Sequence, residues 1–337
     1  APESVQLTAT YEDGSSPTRV LWSVDDTRVG SVNEAGEFLA NGWVAGTATI
    51  TATVGSQSAS VTIAVAVAIV QDLDGLPDDI ETELLSGGSG GPNGVGPDPE
   101  FRYLYPYDKT VFPRGLPAPS IQLGGAPATS TYIKLTVGSF SYQAFAKASG
   151  RTRVALPEQA WRGATLSAGA SEWVDVTVSK RTGPSVTGPI QQRWLIAQGS
   201  LKGLVYYNTY RSPLAGNNGA VMRIKPGETA QVLQSGCTVC HSVSAHGNVM
   251  VASVQWDGSN AAISRSYDLP SNGGIALRNE QADGRVYGFG GLTPDGALML
   301  TSGVPAKGAK MRGVKGLLAS RLLDTGTGQT VAAPSFP

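Results

Sequence analysis

Cys237 and Cys240 are the only cysteines in a chain of 337 residues, and a histidine follows the second directly, in the run Cys237-Thr238-Val239-Cys240-His241. Two thiols and an imidazole at this spacing suit covalent attachment of a c-type haem, in which each thiol adds to a vinyl group and the adjacent ring nitrogen binds iron. The spacing has a mechanical reason. Two intervening residues bring both sulfurs to one edge of the porphyrin, and the next residue projects its ring under the metal. A structural zinc site needs about four nitrogen or sulfur ligands, and beyond this run the chain offers only His246 and carboxylates. A thioredoxin-like dithiol expects a βαβ context, absent here. A short-loop disulfide is the remaining plain reading.

The second axial ligand separates electron transfer from ligand chemistry. Of four methionines, Met250 and Met299 occupy equivalent places in an internal repeat and are explained as packing residues. Met222, in Ala220-Val221-Met222-Arg223-Ile224, fits a strand ahead of the Lys225-Pro226-Gly227 turn. Met311 lies in the basic loop Lys307-Gly308-Ala309-Lys310-Met311-Arg312-Gly313, without apolar neighbours to bury a thioether, and is the expected second ligand. Its Gly-Ala-Lys-Met run resembles the Met-ligand loop of small c-type cytochromes. His246 is tethered too closely to His241 to pass round the porphyrin edge, and is placed at the surface or on a neighbouring subunit's haem. An open or water-bound iron is the alternative.

A second constellation is acidic. Set against an EF-hand-type loop, Asp72, Asp74, Asp78 and Glu81 match ligand positions 3, 5, 9 and 12, and Gly75 matches the glycine at 6. Val70 stands where the first ligand would be. These residues are expected either to bind Ca²⁺ or to begin a helix over 77–85, with Asp74 capping and the acids over its first turn.

These residues need a frame, and composition indicates strands. Charged residues make up 15%, below the usual quarter, while 43 glycines and 21 prolines punctuate the chain. A chain this long makes two or three domains. A net charge of −1 gives no field for nucleic acid or anionic lipid. The most apolar run, 61–70, alternates with threonine and alanine and is too short to span a bilayer, so a strand is expected there. No charged, apolar leader opens the sequence, which fits either a cytoplasmic protein or one whose signal peptide has been removed. Covalent haem attachment occurs outside the bacterial cytoplasmic membrane, so the expectation is an exported protein, extracellular or at the cell surface, with the periplasm as an alternative.

Along the chain, residues 1–68 show period-two strands separated by glycine turns. The runs Leu21-Trp22-Ser23-Val24-Asp25, Val29-Gly30-Ser31-Val32-Asn33, Gly36-Glu37-Phe38-Leu39-Ala40 and Gly46-Thr47-Ala48-Thr49-Ile50 resemble bacterial Ig-like domains of group 2. That resemblance makes Trp22 a core residue and implies a spacer or adhesive module of an exported protein, without chemistry of its own. Residues 69–100 are expected as an acidic, glycine-rich linker holding the Ca²⁺ candidates. Residues 101–198, with strands at 132–137 and 173–180, fit an Ig- or fibronectin-like sandwich.

Residues 199–337 carry the haem motif and a repeat. Ser244-Ala245-His246-Gly247-Asn248-Val249-Met250-Val251-Ala252-Ser253 aligns without gaps on Thr293-Pro294-Asp295-Gly296-Ala297-Leu298-Met299-Leu300-Thr301-Ser302, 49 residues on. A period near 50 is that of propeller blades. The second copy resembles the turn and strand of TolB-type propellers, and the whole resembles exported bacterial proteins that join an Ig-like module and a C-x-x-C-H motif to such blades. The expected fold is therefore all-β: tandem Ig-like sandwiches followed by partial β-propeller-like blades carrying a c-type haem.

The expected function is a single-haem c-type cytochrome for electron transfer, a carrier rather than a catalyst. Its partner would be a redox protein. A structural or adhesive filament subunit with bound haem, self-associating through open strand edges, is the alternative. A peroxidase-like enzyme comes third, because it needs distal acid–base groups and only His246 is spare.

Overall fold

The computed structural model describes residues 3–87, 98–148, 153–236, 239–255, 263–270, 273–281, 285–286, 290–302, 304–305 and 320–332. They fall into two units, Ala1–Leu201 and Lys202–Pro337.

In the first unit, β1 (Ser4–Gln6), β2 (Leu21–Val24), β3 (Gly30–Val32), β4 (Glu37–Ala40), β5 (Gly46–Val54) and β6 (Gln57–Val65) form two three-stranded sheets, β1-β4-β3 and β2-β5-β6. Strand alternation turns Ala48, Ile50 and Ala52 of β5 inward and leaves the threonines between them half-buried. Ala48 and Ile50 meet Val29, Phe38 and Val44, with Trp22 packed against this cluster. At Gly36, φ is +81°, and a Cβ would stand 2.7 Å from the Leu7 carbonyl oxygen and 2.9 Å from the Trp22 indole, so the turn requires glycine. β1 ends there as well. The Leu7 N–H donates to the Gly36 carbonyl at 2.9 Å.

The rest of the unit comprises β7 (Val67–Asp72), α1 (Asp78–Ser86), β8 (Tyr103–Tyr105), β9 (Val111–Arg114), β10 (Ile121–Leu123), β11 (Ser130–Val137), β12 (Phe140–Lys147), β13 (Arg153–Val154), α2 (Glu158–Ser167), β14 (Trp173–Thr182) and β15 (Ser185–Ser200). A six-stranded sheet runs β7-β12-β11-β14-β15-β9, beside a three-stranded sheet β13-β10-β8. The outermost pairs, β7 with β12 and β9 with β15, are parallel. The core holds Leu135, Tyr142, Val176 and Trp194. Phe112, Trp161 and Trp194 meet edge to face there, with ring centroids 5.2–5.9 Å apart.

Two expectations change in this unit. The run 61–70 is two strands rather than one, split at Ala66 and divided between two sheets; alternation reveals a strand but not its partner. Much of the expected linker 69–100 is built into the second module. β7 is an edge strand of its sheet, and α1 buries Leu84 with Leu76 against Tyr132 and Phe145. The helix α2, which a plain Ig- or fibronectin-like sandwich lacks, clamps the two modules. The Ala45 N–H donates to Ser167 Oγ at 2.9 Å, and Leu166 packs on the first module's core.

Lys180 is buried within this core. Its Nζ lies 2.6 Å from Asp98 Oδ2, donates to the Ala126 carbonyl, and sits 4.8 Å above the Phe101 ring. Burial by itself would raise the Asp98 carboxyl, but hydrogen bonds from Lys180 and the Ala126 N–H, with the Lys180 charge, outweigh it and hold the group below its ordinary value.

The second unit is a succession of antiparallel sheets. β16 (Val205–Ser212), β17 (Asn218–Ile224) and β18 (Gln231–Ser235) form one; β19 (Val239–Val243), β20 (Val249–Gln255), β21 (Ile263–Asp268) and β22 (Ala276–Gln281) form the next. After them, β23 (Arg285–Val286), β24 (Gly291–Leu292), β25 (Leu298–Ser302), β26 (Val304–Pro305) and β27 (Ser320–Asp324) give a pair β23-β26 and a sheet β24-β25-β27. The internal repeat recurs at the level of hydrogen bonds. The Ser244 N–H donates to Val249 O at 2.9 Å and the Thr293 N–H to Leu298 O at 3.0 Å; Gly247 donates to Ser244 O and Gly296 to Thr293 O, both at 2.8 Å. The two turns also clasp each other, through the His246 N–H on Pro294 O and Asn248 Nδ2 on Asp295 O.

Candidate functional site

β19 carries the second half of the C-x-x-C-H motif. Its ladder to β20 pairs Val239 with Ser253 and His241 with Ala252, so Cys240 is the extra residue of a β-bulge. A bulge breaks strict alternation and re-aims neighbouring side chains. Cys237, Thr238 and the Cys240 side chain lie outside the described residues. His241 is partly buried, and its Nδ1 lies 2.6 Å from Asn208 Oδ1. An amide oxygen only accepts, so Nδ1 carries the proton and Nε2 the lone pair of the neutral ring. Burial holds the imidazole below its ordinary pKa, against a hydrogen bond to the Tyr206 backbone that raises it. A neutral imidazole with its far nitrogen donating to a neighbour is the state in which histidines bind metals.

The positioning residues come from β16 and β17. Asn208 and Tyr206 alternate onto one face of β16, and Val221 and Arg223 stand directly opposite them on β17. Val221 packs there with Met250, Ala252 and Tyr267. Nothing local in the sequence marks Asn208; a polar residue at an inward strand position was its one signal. Arg223 is equally silent in the sequence and is buried, whereas Asn208 is half-buried.

Met222, Met250 and Met299 are fully buried strand residues, Met250 and Met299 at repeat-equivalent positions. Met311 lies outside the described residues. His246 is exposed on its turn, beside Pro294 and Asp295.

The acidic residues are turned to separate partners. Asp72 accepts the Asp74 and Leu76 N–H groups at 3.1 and 2.7 Å, folding its carboxylate back on its own turn. Asp74 accepts the Lys147 N–H at 2.8 Å, which takes it away from the others. Asp78 and Glu81 lie on the first turn of α1, where burial, then the charges of Asp72 and Asp78, push the Glu81 carboxyl up. Among the described residues no three histidine, cysteine or acidic side chains are placed to hold a metal. Nor does Asp74 cap α1: the N-cap position is Pro77, without a side-chain bond.

In the first module, paired three-stranded sheets enclose Phe38 and Ile50, with Trp22 packed against them. Residues 2–65 match the family of bacterial Ig-like domains (group 2). The buried centre of this module is Val29, Phe38, Val44, Ala48 and Ile50. The curated proteins give no match. Solved structures with some likeness include a protein assigned as a 6-phosphogluconolactonase from Bacteroides fragilis, at 10% identity, covering 96% of this chain and 81% of that one, with a TM-score of 0.25. Domains 4–9 of surface layer protein SbsC give 10% identity, 87% and 33% coverage and a TM-score of 0.16. Cadherin domains 3–6 of protocadherin gamma B2 give 11%, 77%, 67% and 0.19. Among the described residues no helix is long and apolar enough to cross a membrane.

Proposed function

We propose that this chain is an exported protein carrying one covalent haem c at Cys237, Cys240 and His241, and that it transfers electrons at or beyond the cell surface. The observation that carries the reading is the Asn208–His241 hydrogen bond, which leaves Nε2 as the ligating nitrogen directly after the chain's two cysteines. When bound, the haem supplies one-electron chemistry; the protein's own residues supply attachment, ring orientation and a partly buried setting. Met311 is the proposed second ligand. The repeated turns fit propeller-like blades as the frame, and the Ig-like module fits a spacer on an exported protein.

The test is protein made in a host with a working haem-attachment system. Haem should remain on the polypeptide in a denaturing gel, and intact mass should show one haem added, lost when Cys237 or Cys240 becomes alanine. An unmodified wild-type mass overturns the reading. Reduced protein that binds CO without loss of Met311 would reject the second ligand and keep the first.

A second reading, a self-associating structural subunit, is favoured by β6. This nine-residue edge strand is largely exposed, contains no charged residue, and has no strand on its outer side among the described residues. Long uncharged edges invite another chain. Sedimentation across a concentration series should then show oligomers that Thr62→Lys disperses.

A further inference from the structure

The open edge of the Ig-like module has a fixed set of backbone groups to offer, and the ladder behind it determines which. β5 lies between β2 and β6. The Thr49 carbonyl accepts the Asp25 N–H at 3.1 Å and the Thr49 N–H donates to Asp25 Oδ1 at 2.7 Å, so the backbone of Thr49 faces away from β6. Alternation then directs the backbone groups of Ala48, Ile50 and Ala52 to β6, onto Ile63, Val61 and Ala59. On β6 the N–H and C=O groups of Ser58, Ser60, Thr62 and Ala64 therefore point outward, and among the described residues no backbone group bonds them.

The side chains narrow the choice of partner. Ile63 and Val65 pack on the core of the module. Val61, on the same face of the strand, is 46% exposed, and Ala59 next to it is exposed. β6 carries no charged residue, so a second β6 laid along it meets no like charge, and a partner selected by charge would find nothing on the strand to pair with. We infer that β6 pairs antiparallel with β6 of a second copy, about a two-fold axis through Val61. This names the contact for the self-associating reading above and rests on it. With the axis there, Ser60 exchanges both hydrogen bonds with the partner's Thr62, and Ser58 with the partner's Ala64. All four open residues of each copy are satisfied. An axis through Ser60 would leave Ala64 opposite no residue of the strand, and one through Thr62 would do the same to Ser58. Val61 falls opposite the partner's Val61 in a pair of the closer, non-hydrogen-bonded kind, so each covers the other's exposed side. Two three-stranded sheets become one of six, by an isologous contact.

Val61→Cys tests the axis in full-length protein. Opposed residues of such a pair have Cα atoms about 4.5 Å apart, within disulfide reach. Mild oxidation should link the variant into covalent dimers, above the background set by wild type with its Cys237 and Cys240, whereas Gln57→Cys at the strand end should stay at that background. Thr62→Pro removes an outward N–H and spares the ladder to β5. It should abolish the oligomers seen in sedimentation, yet at concentrations where wild type is monomeric it should move the melting temperature by no more than about 2 °C. Wild-type oligomers that Val61→Cys does not link would overturn this pairing and leave self-association standing. Wild type that stays monomeric across the concentration series would overturn both. If Thr62→Pro then lowers the melting temperature well beyond that limit, a segment of the same chain covers β6 instead.

Discussion

His241 Nδ1 and Asn208 Oδ1 lie 2.6 Å apart although 33 residues separate them in the chain. The bond selects one tautomer and directs the lone pair to Nε2, so a strand in one sheet determines what a motif residue in the next can bind. Replacing Asn208 by leucine removes the acceptor at little change in volume. On the proposed haem reading, covalent attachment should persist, but the affinity of His241 for iron should fall about 10–100-fold. The check is an acid titration of the iron–His241 bond, whose midpoint should rise by about one to two pH units. An unchanged titration would mean that Asn208 only packs.

Gly163 of α2 should tolerate no side chain. A Cβ there would stand 2.5 Å from the Trp43 carbonyl oxygen and 2.9 Å from the Phe140 ring. Gly163→Ala therefore has to push the helix away from the Ig-like module, at about 1–3 kcal/mol. Urea denaturation should show the transition of the first unit moving to lower concentration, and proteolysis near residue 66 should accelerate. Alanine at the exposed Gly55, whose Cβ would meet nothing within 4 Å, should leave residue 66 protected.

The Asp98–Lys180 pair should dominate the acid response of the same unit. Asp98→Ala leaves the Lys180 ammonium buried and unpaired, a loss of about 3–5 kcal/mol. The double variant Asp98→Leu, Lys180→Met should recover most of it. Asp98 is held below its ordinary value of 3.8. Its contribution is therefore complete above that value and disappears as pH falls below it through the folded-state pKa. Stability measured from pH 7 to pH 2.5 should drop in wild type at the acid end and be flatter there in the double variant.

Gly247 and Gly296 occupy equivalent turns but should respond differently to alanine. Both have positive φ, 71° and 74°. At Gly247 a Cβ meets nothing within 4 Å, so the variant bears only the conformational cost of about 1 kcal/mol. At Gly296 the same atom falls 2.5 Å from Val249 Cβ, so the clasp between the turns must open. Gly296→Ala should lower the melting temperature of the second unit at least twice as far as Gly247→Ala. Equal effects would show that the turns fold independently.

The sequence alone contained what depends on near neighbours. The C-x-x-C-H spacing, the strands of the Ig-like module with Trp22 packed against its core, the period-50 repeat and the packing place of Met250 and Met299 follow from local type, alternation and self-similarity. Such signals record what a residue's immediate backbone requires. The tertiary structure decided pairing. It split 61–70 between two sheets, built β7 and α1 into the second module, and turned Asp74 to the Lys147 N–H. It also brought Asn208 to His241 and Arg223 onto the same strand face. Partner choice across sheets is set by total burial and by which polar groups must be satisfied, sums taken over residues far apart in the chain, and no local pattern encodes them.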